Sequence, residues 1–416
     1  MHSAIKKLSA FSLGLVAVAM NCAWASPTVI LLRDSAQKGD DTVAKAIAQA
    51  YGDLYEQKTG IKPEQIMIDA ELGVQELQQR VHNAARSSTQ QLALIAVGEK
   101  TIETLAQANL PKEVKTLHAS HMKTKLHPRL IGKVDRIALP FHTVGNFTDE
   151  IKGSRTQLVQ TIGVAHGRSA QSAKLAFTEN KANIPQKNAY LAVILGGDAP
   201  NEQNVQQLFT VDNARTLARY VAHQANGRYI LVTNGPRTGK HDAQKQEIKT
   251  AHREGTVDLV TQAFMDELRA TNIPPRDVML FDFQFGKTTN EMDQILGALL
   301  STAHAEILVP AESTSSVSEV IDVLKGAEQG SGNPAHKVTV YMNGAMNAAH
   351  EAHVSGEFFL GRVDQLLSQD LQPINVKTLE EDLEKKNPEL LATLRLMGEN
   401  ATRTSAAEAC ARALLP

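Results

Sequence analysis

Three stretches beyond residue 195 of the 416-residue chain gather glycine, hydroxyl and charged residues in a pattern suited to holding an anion. Gly196-Gly197-Asp198-Ala199-Pro200-Asn201 joins two glycines, which permit close backbone approach, to Asp198, which can orient a hydroxyl. Asn234-Gly235-Pro236-Arg237-Thr238-Gly239-Lys240 supplies two cations and a hydroxyl within a turn, a composition suited to phosphate. It is one residue too short for a Walker loop, and His241 stands where that loop needs a magnesium-holding hydroxyl. A P-loop triphosphatase is thereby excluded. In Glu312-Ser313-Thr314-Ser315-Ser316-Val317-Ser318-Glu319, four consecutive hydroxyls open a helix, where free N–H groups and the dipole favour a diphosphate. Plain capping needs only one of them. Glu319, one turn further on, can accept from a ribose diol or complete a capping box with Ser316.

The elements carrying these loops follow from hydrophobic spacing. Short β-branched runs alternate with longer segments of helical period, which predicts an α/β class with parallel strands and crossover helices. Strands are expected over 28–32, 65–68, 92–97, 136–140 and 160–164, with helices over 41–55, 73–85 and 102–108. The rhythm restarts with strands over 189–195, 229–233, 278–281, 306–309 and 337–342, separated by helices over 211–226, 256–271, 291–303 and 317–324. Two Rossmann-like, doubly wound domains facing across a cleft result: residues 26–180 and 189–375, followed by a helical tail over 376–416. The polar stretch 178–188 marks the boundary, and a helix of the tail is expected to return across the interface. In such sheets ligands bind beyond the carboxyl ends of strands, where all three loops fall.

Composition narrows the classes further. Hydrophobic residues make up 42%, and 43 basic residues nearly balance 45 acidic ones, so no global field draws the chain to nucleic acid or an anionic membrane. Lys6 and Lys7, an apolar stretch over 8–20 and Ala23-Trp24-Ala25 read as a cleavable signal peptide over 1–25, predicting periplasmic or secreted residence. No second membrane segment follows, so the mature chain is expected to have no stable membrane anchor. Cleavage leaves Cys410 as the sole thiol, read as a small apolar residue of the last helix. His118, His121 and His127 follow no metal pattern and, interleaved with Lys123, Lys125 and Arg129, read as a solvated positive face. His350-Glu351-Ala352-His353 is one residue short of a zincin helix, so no metal site is expected.

The loop series Gly196-Gly197-Asp198, Asn234-Gly235-Pro236-Arg237-Thr238-Gly239 and the serine-rich turn ending Val317-Ser318-Glu319 resembles the mitochondrial-fission Elm-type family, itself similar to glycosyltransferases of the GT-B fold. Arg33-Asp34 followed by Gly39-Asp40-Asp41, and Pro140-Phe141-His142, resemble that family's first loop and its Pro-x-His strand end. The chain departs from the pattern at Glu312, where the family has Asp, and at Pro236, where it has a second Arg. The resemblance implies metal-independent glycosyl transfer with no cofactor: a nucleoside diphosphate sugar as donor, its diphosphate on Ser313, Thr314, Ser315 and Ser316, Arg237 stabilising the leaving charge and Glu319 near the ribose. Epimerisation or hydrolysis of such a sugar is served by similar scaffolds. The general base would come from the first domain, with His142, Asp34 and His166 as candidates. The competing class is a non-catalytic, two-lobed periplasmic protein binding an anion or phosphorylated solute.

Overall fold

The computed structural model describes residues 27–415 except 36–37, 88–90, 181–183, 202, 254, 288–290, 329–335 and 401–403; the expected signal peptide lies outside the described residues. The first sheet contains β1 (Thr28–Arg33), β2 (Glu64–Asp69), β3 (Leu92–Val97), β4 (Val114–Ala119), β5 (Arg136–Pro140) and β6 (Gln157–Thr161). All pairings are parallel, in the order β2-β1-β3-β4-β5-β6. The second contains β7 (Ala189–Ile194), β10 (Tyr229–Thr233), β11 (Val278–Phe281), β12 (His304–Pro310), β13 (Lys337–Tyr341), β14 (Gln365–Leu367) and the antiparallel β15 (Pro373–Ile374), in the order β11-β10-β7-β12-β13-β14-β15. A small hairpin, β8 (Ala199–Pro200) and β9 (Gln206–Gln207), follows β7. Both domains are therefore doubly wound and Rossmann-like, and they face each other across a cleft in a GT-B-like arrangement with a helical C-terminal region.

Alternation along the strands separates the two faces of each sheet. In β1, Val29 and Leu31 join one core, and Ile30 and Leu32 join the other; Ala192 and Val193 divide in the same way in β7. Helix α1 (Lys38–Thr59) buries Ala44, Ile47, Ala48, Tyr51 and Tyr55, while Val43, Ala50 and Leu54 are only partly covered. Helices α2 (Gly73–Ser87), α3 (Glu99–Gln107) and the short α4 (Phe147–Ile151) complete the first domain.

Strand β4 was not expected, because Thr116 and His118 break its apolar run; both are buried, with the Thr116 hydroxyl donating to Asp135 at 2.9 Å and His118 Nε2 lying 3.2 Å from the Gly98 carbonyl. Residues 170–179, which the expected bounds put in the first domain, form an unexpected helix α5 (Ala170–Glu179) that packs in the second: Ala173 and Phe177 share a core with Leu296 and Leu299 of α8 (Glu291–Leu300). The chain therefore crosses between domains over residues 162–169, ahead of the polar stretch, because apolar packing rather than loop composition fixes where a domain begins.

Helices α6 (Val211–Ala225), α7 (Leu259–Arg269), α9 (Thr314–Glu328) and α10 (Ala348–Phe359) cover the second sheet together with α8. The tail divides. Helices α11 (Val376–Lys386) and α12 (Pro388–Asn400) add Leu379, Leu383, Leu391 and Leu394 to the second domain, whereas α13 (Ala406–Arg412) returns to lie on α1. Cys410 is buried in that seam, where burial pushes its thiol up to about 12, so it serves as an apolar packing residue. Among the described residues no helix is long and apolar enough to cross a membrane.

Candidate functional site

A doubly wound sheet has one point where adjacent strands send their connections to opposite faces, leaving a crevice at their carboxyl ends. In the first domain it lies between β1 and β3, and in the second between β7 and β12. The crevices differ in occupancy.

The first opens into a cleft of about 930 Å³ between the domains, within the range of small-molecule sites. Its first-domain wall comprises Asp34 after β1, Gly39, Asp40 and Val43 at the start of α1, Gly98, Glu99, Lys100 and Glu103 after β3, and His121 after β4. Val164, His166 and Arg168 of the crossing segment form its floor, and Ser315 and Glu319 of α9 form the opposing wall. Asp40 lies against the Gly98 backbone so closely that a Cβ on Gly98 would overlap its carboxylate, and the φ of +90° there also favours glycine. Burial raises the Asp40 carboxyl above the ordinary carboxylate range, with Asp34 adding to the rise and His121 opposing it. Asp34 is buried, with Lys100 Nζ at 3.9 Å; Lys100 is itself held by Glu71 at 2.7 Å. Asp41, by contrast, turns away to pair with Arg33 and with Lys45.

The second crevice is filled by protein. Glu312, only 2% exposed, accepts from the Gly197 N–H and from Asn343 Nδ2, both at 2.6 Å, directly at the β7–β12 junction. Burial raises its carboxyl, while the Gly197 N–H, Arg237 and Asn343 work against the rise. The paired glycines serve this packing: a Cβ on Gly196 would meet Asn343 and Phe209, and one on Gly197 would meet Arg237. Asp198 is also committed, accepting from the Phe209 N–H through Oδ1 and from the His241 N–H through Oδ2, each at 3.0 Å. Asn234 donates to Asp258, Thr261 and Asp282 and accepts from the Phe283 N–H. Thr238 is buried, and its hydroxyl accepts from the Gly235 N–H. Gly196, Gly197, Asp198, Asn234 and Thr238 thus hold loops to one another, and none lines the cleft. Arg237 is exposed beside this group.

The α9 turn is less fully consumed. The Ser313 hydroxyl donates to Ser316 at 2.8 Å, Thr314 begins the helix, and Ser315 is exposed toward the cleft. Glu319 reaches the cleft but is held by Arg168 at 2.8 Å, and Arg168 also pairs with Asp293 at 2.7 Å.

The first-domain candidates separate. Asp34 lines the cleft; His166 lines it too, but both its ring nitrogens are engaged, Nδ1 accepting from the Arg168 N–H at 3.3 Å and Nε2 donating to Asp322 at 3.1 Å. His142 lies outside the lining and packs on His353 of α10 with ring centroids 4.7 Å apart. The expected positive face is also corrected. His118 and His127 are fully buried and pack edge to face at 5.2 Å, with burial lowering them to about 3 and about 4, so only His121 of that trio is exposed. Asp40 and His121 were missed as site residues because their partners are brought together only by β1, β3 and β4 lying side by side.

His252, Asp258 and Asp282 lie close enough to suggest a cation site. The ring nitrogens of His252 instead face the Thr238 and Phe283 carbonyls at 2.7 and 3.2 Å, so the imidazole is occupied in tying two loops together.

These two sheets, their shared cleft and the returning α13 define a two-domain α/β protein of GT-B-like arrangement. No family model and no curated protein matches the chain. Among solved structures it is similar to the N-terminal domain of trehalose-6-phosphate phosphatase from Candida albicans, at 8% identity over 93% of this chain and 95% of that one, with a TM-score of 0.43. It is also similar to UDP-GlcNAc 2-epimerase from Methanocaldococcus jannaschii, at 9% identity over 93% and 98%, with a TM-score of 0.44. A possible leucine/isoleucine/valine-binding protein from Rhodopirellula baltica SH 1 aligns at 10% identity over 94% and 86%, with a TM-score of 0.20.

Proposed function

We propose that the cleft takes a nucleoside diphosphate sugar and that the protein transfers the glycosyl group to an acceptor held by the first domain. The observation that carries this reading is the pairing, across one cleft, of an exposed hydroxyl-rich helix start at Ser315 with a carboxyl of raised proton affinity at Asp40. The diphosphate would lie against Ser313 to Ser316, where the α9 dipole and free N–H groups stabilise the charge that develops on departure. Arg237, exposed near Glu312, is the nearby cation for the same charge. Asp40 serves as general base: the acceptor oxygen bonds to the anomeric carbon, the bond from that carbon to the diphosphate oxygen breaks, and the acceptor proton passes to the carboxylate. A raised carboxyl is the stronger base, which suits Asp40 to this role. No metal enters this scheme.

The reading includes export to the periplasm or beyond, supported by the charge and apolar pattern over residues 1–25. A second reading, non-catalytic binding of a phosphorylated solute, is favoured by the Arg168–Glu319 pair, which occupies the group expected on the ribose. Thermal-shift titration with UDP, GDP and CDP, their sugars and inorganic phosphate separates the two. Selective stabilisation by one nucleoside diphosphate is expected, weakened about tenfold or more in Ser315→Asp, which places a like charge at the seat while suiting a helix start. Stabilisation by phosphate alone supports the second reading, and an unchanged response in Ser315→Asp removes the helix seat.

A further inference from the structure

The seam between the domains, outside the cleft, holds a group of buried polar atoms that the proposed chemistry does not use. His142 follows β5 in the first domain, and the adjacent Phe141 is buried within the second domain's core beside Val354, Phe358 and Leu394. The His142 ring lies on His353, which is fully buried, as is Glu357 one turn further along α10. His142 Nδ1, both ring nitrogens of His353 and both Glu357 oxygens are without hydrogen-bond partners among the described residues. The His353 Nε2–Glu357 Oε1 and Arg362 Nε–Glu357 Oε2 distances are each 3.3 Å, close contacts without hydrogen-bond alignment. Arg362 continues to Asp322, which holds His166 of the crossing segment.

We propose that His142 and His353 form a pH-sensitive latch between the two domains, closed near neutral pH and released on acidification. The argument lies in what faces His142. The titratable groups acting on it are His353 and His350 of α10 and His121 of the first domain, each a base that becomes a cation. Glu357, the carboxylate of this seam, is beyond His353 and shared with Arg362, so its charge is already balanced from the second domain. A proton on His142 therefore arrives in a dry contact with no carboxylate of its own.

The sign follows from burial, which together with these histidines holds the His142 ring well below the ordinary histidine range. A base depressed in the closed state stabilises that state fully above its free value near 6.5, and the contribution is lost as pH falls below it. Separating the domains returns His142 to water, where it accepts the proton freely, whereas neither sheet need unfold.

Small-angle X-ray scattering of the whole chain from pH 8 to pH 5, with far-ultraviolet circular dichroism on the same samples, tests the latch. The wild-type radius of gyration is expected to rise reversibly below about pH 6.5 with the dichroism unchanged. His142→Phe retains an aromatic surface without a titrating group and is expected to keep its pH 8 radius throughout. His142→Gln, smaller and also uncharged, is expected to do the same and serves if the Phe variant folds poorly. A wild-type radius that holds until the dichroism is lost overturns the proposal, as does expansion with the wild-type midpoint in a folded, non-titrating variant. The readout needs no substrate, so it stands apart from the assignment of the cleft.

Discussion

The two domains share a winding pattern but use their crevices in opposite ways. At the β7–β12 junction Glu312 is buried between Gly197 and Asn343, and the loops that looked most like ligand-binding segments are bonded to one another. At the β1–β3 junction the corresponding space is part of a cleft of about 930 Å³, with Asp34 and Asp40 facing it. The difference shows that a glycine- and polar-rich loop at a strand end has two uses. It can receive a ligand, or it can receive a side chain from a neighbouring loop, and both require close approach and hydrogen bonding. Only the α9 turn stands between these cases, with its serines partly engaged and Ser315 still exposed.

Asp40→Asn should make the largest difference between the crevices. If the open one performs the proposed transfer, turnover falls roughly 10²- to 10⁴-fold, the range for loss of a general base, while nucleoside diphosphate affinity is retained. A donor-consumption assay with a parallel binding titration checks this, and a variant that loses affinity but keeps turnover contradicts the role.

Glu312→Ala should reveal the closed crevice as structural. Removing the carboxylate strands the Gly197 N–H and Asn343 amide, at a cost of about 1–3 kcal/mol in chemical denaturation. Equal destabilisation by Asp34→Ala, which has one face on the cleft, would erase the contrast.

The finest test concerns the coupling of the two cleft carboxyls. Asp34 raises Asp40, so Asp34→Asn should move the acid limb of the activity profile to lower pH, because a more acidic base stays ionised further down. His121→Gln should move the same limb to higher pH, since His121 holds Asp40 down. Limbs that coincide with wild type in both variants would assign the limb to another group.

Much of the architecture was legible locally. The strands over 92–97, 136–140, 229–233 and 278–281 match their observed bounds, because apolar runs bordered by turn residues admit few other conformations. Strand β4 was hidden since its buried Thr116 and His118 find partners, Asp135 and the Gly98 carbonyl, that lie elsewhere in the chain. The same reason explains why His118 and His127 read as solvated when they are core residues.

The sequence by itself determined the α/β class, the two winding units and the position of the polar loops at strand ends, since each depends on periodicity within one segment. Tertiary structure decided which loop remained open, which domain α5 joined and where His142 came to rest. Those outcomes depend on contacts between residues far apart in the chain, such as Glu312 with Gly197, Ala173 with Leu299 and His142 with His353, and no local pattern contains them.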